Sequence, residues 1–116
     1  RGHLRGAKFV LGALEGEGGG GSVYFNLVEP EQTARFAENL SKGEVFFDVG
    51  ATVGYYTVLG SRLVGENGLV VAFEPVARNL AHLYNHIEIN DLENVQIVAA
   101  ACSEEITLAA FSTGPN

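Results

Sequence analysis

The chain of 116 residues has no methionine, no tryptophan, one cysteine and three prolines, and its seven lysines and arginines face fourteen aspartates and glutamates. A single cysteine, Cys102, excludes an intramolecular disulfide and any cysteine-rich zinc site. It is compatible with a reducing compartment, and the expected localisation is cytoplasmic. The shortage of basic residues leaves a net charge of −7 at pH 7. That balance argues against a broad phosphate-binding face, so no nucleic-acid partner is expected. Long apolar runs are also missing. The longest clean ones, such as Val95 to Cys102, are strand-sized and well short of the ~18–20 residues of a membrane span. The N-terminus lacks the apolar stretch and small-residue site of a signal peptide. The start at Arg1 and the stop at Thr113-Gly-Pro-Asn116 read as an excerpt of a longer protein. What remains is core-forming material: 47% of the residues are hydrophobic and only 18% charged, a composition that packs rather than staying disordered.

Two parts are expected. Residues 1–28 read as an N-terminal hairpin with a flexible glycine-rich segment: Lys8 to Leu14 and Ser22 to Val28 are strand-like, and Gly18 to Ser22 has linker composition. Residues 29–116 carry a regular alternation. Pro30 suits the first turn of a helix, Ala34, Phe36, Ala37 and Leu40 form its apolar stripe, and Gly43 stops it. Glu44 to Asp48 is a short buried strand. Gly50-Ala-Thr-Val-Gly54 is a glycine loop, and a helix follows from Tyr55 to Leu63. Leu69 to Phe73 is a continuous apolar run, as expected for a strand covered on both faces. A helix from about Val76 to Ile89 places Leu80, Leu83, Tyr84 and Ile87 at helical spacing. Val95 to Ala101 is a third strand, and Ile106 to Phe111 an edge-type fourth. Strand–helix–strand–helix–strand with short connections implies a parallel sheet with right-handed crossovers. The expected fold is therefore α/β, a Rossmann-like doubly wound sheet truncated after about its third parallel strand.

The chemistry concentrates in Asp48-Val-Gly-Ala-Thr-Val-Gly54, directly after a strand and opening a helix. Glycines let the backbone approach a ligand closely and take positive φ. Glu74 closes the next strand, 20 residues after Gly54, where an acidic side chain can take both ribose hydroxyls of an adenosine. Asp48 bears on which adenosine. A pyrophosphate wants an electropositive, unobstructed loop, and two like charges at ~4 Å in an effective dielectric of 20 repel by about 4 kcal/mol. S-adenosylmethionine carries an ammonium and a sulfonium and no phosphate, so a nearby acid helps it. The loop also lacks the third glycine of the dinucleotide fingerprint. Both features favour S-adenosylmethionine as cofactor. A nicotinamide-binding oxidoreductase domain and a non-catalytic Rossmann-like binding module remain the alternatives.

Val45-Phe-Phe-Asp-Val-Gly-Ala-Thr-Val-Gly-Tyr-Tyr-Thr57, taken with Val71-Ala-Phe-Glu-Pro75, Asn79, Leu83 and Asn90, resembles the FkbM-type methyltransferases, members of the class I S-adenosylmethionine-dependent group. The resemblance runs from about Tyr24 to Ala101. It implies that Asp48, Gly50, Ala51 and Gly54 line the methionine part of the cofactor, with Tyr55 beginning the helix beside it. It also implies that Glu74 holds the ribose, that Pro75 and Val76 flank the adenine, and that Ala101 and Cys102 lie near the adenine edge. Thr52 stands where the family has asparagine. The implied reaction is methyl transfer to an oxygen of a small-molecule or glycan acceptor, such as a hydroxyl of a sugar or secondary metabolite. The family continues with further strands, the fourth beside the first, and most acceptor-binding residues belong to that later half. The fragment alone is expected to bind cofactor weakly and not to turn over, with the edge of Val45 to Val49 bare. No residue in the chain reads as a general base.

Other residues have plainer readings. His82 and His86 share a helix face at i, i+4 spacing, with no third ligand, and are expected to face solvent rather than hold a metal. Cys102 reads as a small buried residue rather than a nucleophile. Tyr55 and Tyr56 read as packing residues. Glu88, Asp91, Glu93, Glu104 and Glu105 read as a solvated acidic face.

Overall fold

The computed structural model describes residues 2–10 and 30–104. A 3-10 turn at Gly2–Leu4 is followed by α1 (Pro30–Asn39), β1 (Val45–Val49), α2 (Tyr55–Val64), β2 (Leu69–Phe73), α3 (Ala77–Ile89) and β3 (Val95–Val98). The three strands form one parallel sheet in the order β1-β2-β3. This is the expected strand–helix alternation, with element ends shifted by a residue or so. The exceptions are α1, which ends at Asn39 and leaves Leu40 outside the helix expected to be stopped by Gly43, and the third strand, which ends at Val98 rather than continuing to Ala101. Of the expected strand at Lys8 to Leu14, residues 8–10 are described and are not in a strand. The strand expected at Ser22 to Val28, the glycine-rich stretch and the strand expected at Ile106 to Phe111 lie outside the described residues.

Local chemistry accounts for the element ends. Helix α1 carries Glu31 in its first turn, where negative charge suits the helix dipole. At its far end the Asn39 amide donates to the Arg35 carbonyl. Helix α2 closes through the Gly65 N–H, which donates to the Ser61 carbonyl. The Asn94 amide then bonds the Ser61 and Gly65 carbonyls at 2.9 and 2.7 Å, satisfying acceptors that a helix end leaves over. Helix α3 begins without a cap from the side chain at its N-cap, Val76. Its first turn is served by Glu74, described below.

Registers Phe46↔Val70↔Val95 and Asp48↔Ala72↔Ile97 put these six residues on one face of the sheet. Helices α2 and α3 cover that face. Val58, Leu59, Val64, Val70, Ala72 and Leu83 are all fully buried, each of the larger ones contributing about 1.5–3 kcal/mol by leaving water. Gly60 lets α2 sit close on the sheet: a Cβ there would lie 2.6 Å from Phe46 Cδ2. Helix α1 adds Phe36, edge-on to Phe46 and tilted against Tyr56. The opposite row on β1 is open. Val45, Phe47 and Val49 are exposed, and Phe47 meets the half-buried Phe73 edge-on. The edge expected to be bare is the β1 edge of the described sheet.

The short segment 2–10 is fastened across the helices. The Arg62 guanidinium donates to the His3 and Arg5 carbonyls. Lys8 N–H donates to Asn90 Oδ1, and Asn90 Nδ2 donates to the Lys8 carbonyl, both at 2.8 Å. Phe9 is buried with Val53 and Val58.

Candidate cofactor site

The site lies at the carboxyl ends of β1 and β2, the usual place for a ligand in an open parallel sheet. Chain direction requires a tight turn there. Gly50 and Gly54 have φ of 75° and 102°, values that side chains other than glycine's rarely tolerate. The amides of Gly50 and Ala51 both donate to the Phe73 carbonyl, at 2.9 and 3.0 Å, which ties the loop to the end of β2. Gly54 N–H closes the turn on the Ala51 carbonyl. A Cβ at Gly54 would fall 2.6 Å from Leu83 Cδ1, whereas one at Gly50 would meet nothing within 4 Å. The loop is therefore packed against α3 at one end and open at the other. Thr52 adopts φ 50°, left-handed backbone that is uncommon for a β-branched residue and natural for asparagine.

The two acids differ in environment. Glu74 is only 3% exposed. Its Oε1 accepts from Thr52 N–H at 2.8 Å, and its Oε2 from Val76 N–H at 3.0 Å and Asn79 Nδ2 at 3.2 Å. One carboxylate thus joins the glycine loop to the first turn of α3 and supplies the cap that Val76 lacks. Asp48 is half-buried, and its Oδ2 accepts a 2.6 Å bond from the Thr57 hydroxyl. Burial pushes its carboxyl above the ordinary value of 3.8. The Thr57 bond opposes that rise, and the charge of Glu74 adds to it. Two carboxylates in mutual electrostatic range make this end of the sheet acidic, a poor seat for a diphosphate.

The remaining candidates divide. Ala51 is buried in the cluster with Ala72 and Leu83. Tyr55 starts α2, with its hydroxyl 3.4 Å from Thr33 Oγ1, and Tyr55 and Tyr56 pack edge-on. Pro75 and Val76 lead from Glu74 into α3. Ala101 and Cys102 follow β3 at the same end of the sheet and are exposed, so Cys102 is not the small buried residue expected.

His86 departs further from expectation. It does not face solvent; it is fully buried under the glycine loop, while His82 is half-buried. Its Nδ1 lies 2.6 Å from the Val53 carbonyl, and its Nε2 accepts from Val10 N–H at 3.0 Å. Helical periodicity alone placed it beside the apolar stripe. The polar loop and the N-terminal segment that bury it come from distant sequence. Among the described residues no group of three or more potential metal ligands occurs. Thr57 and Asn79, the partners of the two acids, have no role that periodicity or spacing assigns, although both fall among the residues that carry the family resemblance.

Comparison with known proteins agrees with this architecture. The model of the family described as protein-L-isoaspartate(D-aspartate) O-methyltransferase (PCMT) matches residues 26–105. No curated protein matches the chain. Among solved structures, a protein-L-isoaspartate O-methyltransferase is 34% identical with a TM-score of 0.58, the match covering 62% of this chain and 23% of that one. A SAM-dependent methyltransferase from Aquifex aeolicus is 24% identical with a TM-score of 0.60, covering 84% of this chain and 49% of that one. A precorrin-6y C5,15-methyltransferase from Geobacter metallireducens is 25% identical with a TM-score of 0.58, covering 64% and 40%. The chain spans from about a quarter to a half of the length of these proteins. With the class I methyltransferase fold and a family model matched over most of its length, the chain belongs to the protein-L-isoaspartate(D-aspartate) O-methyltransferase family.

Proposed function

We propose that the chain is the cofactor-binding part of an S-adenosylmethionine-dependent methyltransferase that acts on an acceptor oxygen. The observation that carries this reading is the pairing of Asp48 and Glu74 around an open glycine loop. The donor set fits the cofactor. The loop is open above Gly50, two acids can balance an ammonium and a sulfonium, and the polar end of the sheet has no basic side chain in the glycine loop to draw a phosphate. In this reading Asp48, Gly50, Ala51 and Gly54 flank the methionine portion, and Pro75, Val76, Ala101 and Cys102 border the adenine. Glu74 takes the ribose. A carboxylate offers about four lone-pair positions and protein donors occupy three, so a ribose hydroxyl takes the fourth or replaces the Thr52 N–H.

The bound cofactor supplies an electrophilic methyl group on a sulfonium. The chain's own contribution is alignment and charge balance. Asp48 in its ionised form lowers the energy of the cation. Glu74 orients the sugar, and Tyr55 begins the helix beside the loop.

Two acceptor classes compete. The FkbM-type motifs around Asp48 and Glu74 point to a hydroxyl of a sugar or secondary metabolite. The PCMT family match points to a free carboxylate of an L-isoaspartyl or D-aspartyl residue in a protein. Transfer of a labelled methyl group by the full-length protein decides both questions. No transfer from S-adenosylmethionine to any acceptor in either class contradicts the enzyme reading. A labelled product that releases methanol in mild base is a carboxyl ester, whereas a base-stable product is an ether.

A further inference from the structure

The N-terminal segment and the glycine loop meet through one side chain. Val10 N–H is a donor, so the His86 nitrogen that accepts from it, Nε2, carries no proton. The ring is therefore neutral with its proton on Nδ1, which donates to the Val53 carbonyl. Phe9 packs edge-on to the imidazole at 5.2 Å and is buried with Val53 and Val58. Asn90, one turn beyond His86 at the C-cap of α3, holds Lys8 by two bonds and so pins the same segment independently.

We propose that His86 is a positioning residue that couples residues 7–10 to the glycine loop: through Nδ1–H it sets the Val53 carbonyl, and through Nε2 it holds Val10, so that protonating the ring releases Val10 while the Nδ1–H bond keeps its hold on the Val53 carbonyl. A protonated ring has two donors and no acceptor, and the Val10 N–H then faces another N–H. The elements around the ring carry few other charges. Residues 50–54 contribute none, α3 carries Arg78, His82, Tyr84 and Glu88, the segment carries His3, Arg5 and Lys8, and α2 brings Tyr55, Tyr56 and Arg62. Burial and the neighbouring His82 both hold the ring neutral, against the pull of the Val53 carbonyl. The coupling stands apart from the cofactor reading. Only its consequence for ligand affinity rests on that reading.

The test uses the full-length protein labelled with nitrogen-15. Ring correlation spectra at neutral pH should show a protonated Nδ1 and a bare Nε2, and on acidification the Val10 amide should exchange faster in step with ring protonation. A proton on Nε2, or Val10 exchange indifferent to the ring's titration, overturns the proposal. His86→Phe keeps the bulk and loses both bonds. Amide exchange at Val10, Gly50, Ala51 and Gly54 should rise roughly tenfold, and S-adenosylhomocysteine affinity should fall by a similar factor. Asn90→Ala should speed exchange at Lys8 and leave the loop amides alone; equal loosening of the loop by both variants contradicts a specific role for His86. If His86→Phe does not fold, the wild-type titration decides. If the wild type binds no S-adenosylhomocysteine, the cofactor reading fails while the exchange data still judge the coupling.

Discussion

Replacing Glu74 by alanine should have two separable effects. The side chain is 3% exposed and accepts three hydrogen bonds, two of them from backbone amides. Its removal strands the Thr52 and Val76 N–H groups and the buried Asn79 amide. An unsatisfied buried donor costs about 1–3 kcal/mol. The Asn79 side chain can turn and water can enter the space left, so a net loss of about 3 kcal/mol is expected, a large part of the ~5–15 kcal/mol that holds a domain together. The second effect is electrostatic. Glu74 is one of the causes that raise the Asp48 carboxyl above 3.8, so without it Asp48 should titrate at lower pH. Urea unfolding measures the first effect, and the Asp48 carboxyl carbon signal followed against pH measures the second. Glu74→Gln separates them. It should move Asp48 as far, and cost less stability, because only one donor then faces an amide NH2. A stability loss below about 1 kcal/mol, or an Asp48 titration that does not move, would refute the role given to this carboxylate.

Gly54→Ala should destabilise by about 2–4 kcal/mol, adding unfavourable backbone at φ 102° to a clash with Leu83, read as a lower urea midpoint. Thr52→Asn should stabilise by about 0.5–1 kcal/mol by easing left-handed backbone, visible as a higher melting temperature. Asp48 binds its proton more tightly in the folded chain than in the unfolded one, so its contribution to stability should fall as pH rises from 3.8 through the folded value. Asp48→Asn should abolish that fall in urea titrations at a series of pH values, while weakening the binding of S-adenosylmethionine. His86 has the opposite sign: its proton affinity is lowered, the unfolded chain protonates first, and stability should fall as pH drops below 6.5, a slope missing from His86→Phe.

Legibility followed the range of the interactions. Strand β2 was readable to the residue, because Leu69 to Phe73 is apolar throughout and Glu74-Pro75 ends it. The glycine loop and both acids were readable from their spacing relative to the strands. Their partners were harder to see: Thr57, Asn79 and His86 act through contacts across 9, 5 and 33 residues of sequence, and only the longest of these is invisible to helix or strand periodicity by construction. Val95 to Ala101 read as one strand because its apolar run continues, yet pairing with β2 ends at Val98, opposite Phe73, where β2 itself ends. The sequence-level resemblance to FkbM-type enzymes rests on Val45 to Thr57, Val71 to Pro75, Asn79, Leu83 and Asn90, whereas the family model that matches is that of PCMT.

Titration calorimetry of the full-length protein with S-adenosylhomocysteine and, separately, with NADH bears most directly on the pairing of Asp48 and Glu74 at an open turn. S-adenosylhomocysteine should bind with a saturable heat, NADH should show none, and Glu74→Ala should weaken the first by about 1–3 kcal/mol. Tighter binding of NADH, with its diphosphate seated over residues 50–54, would contradict the assignment.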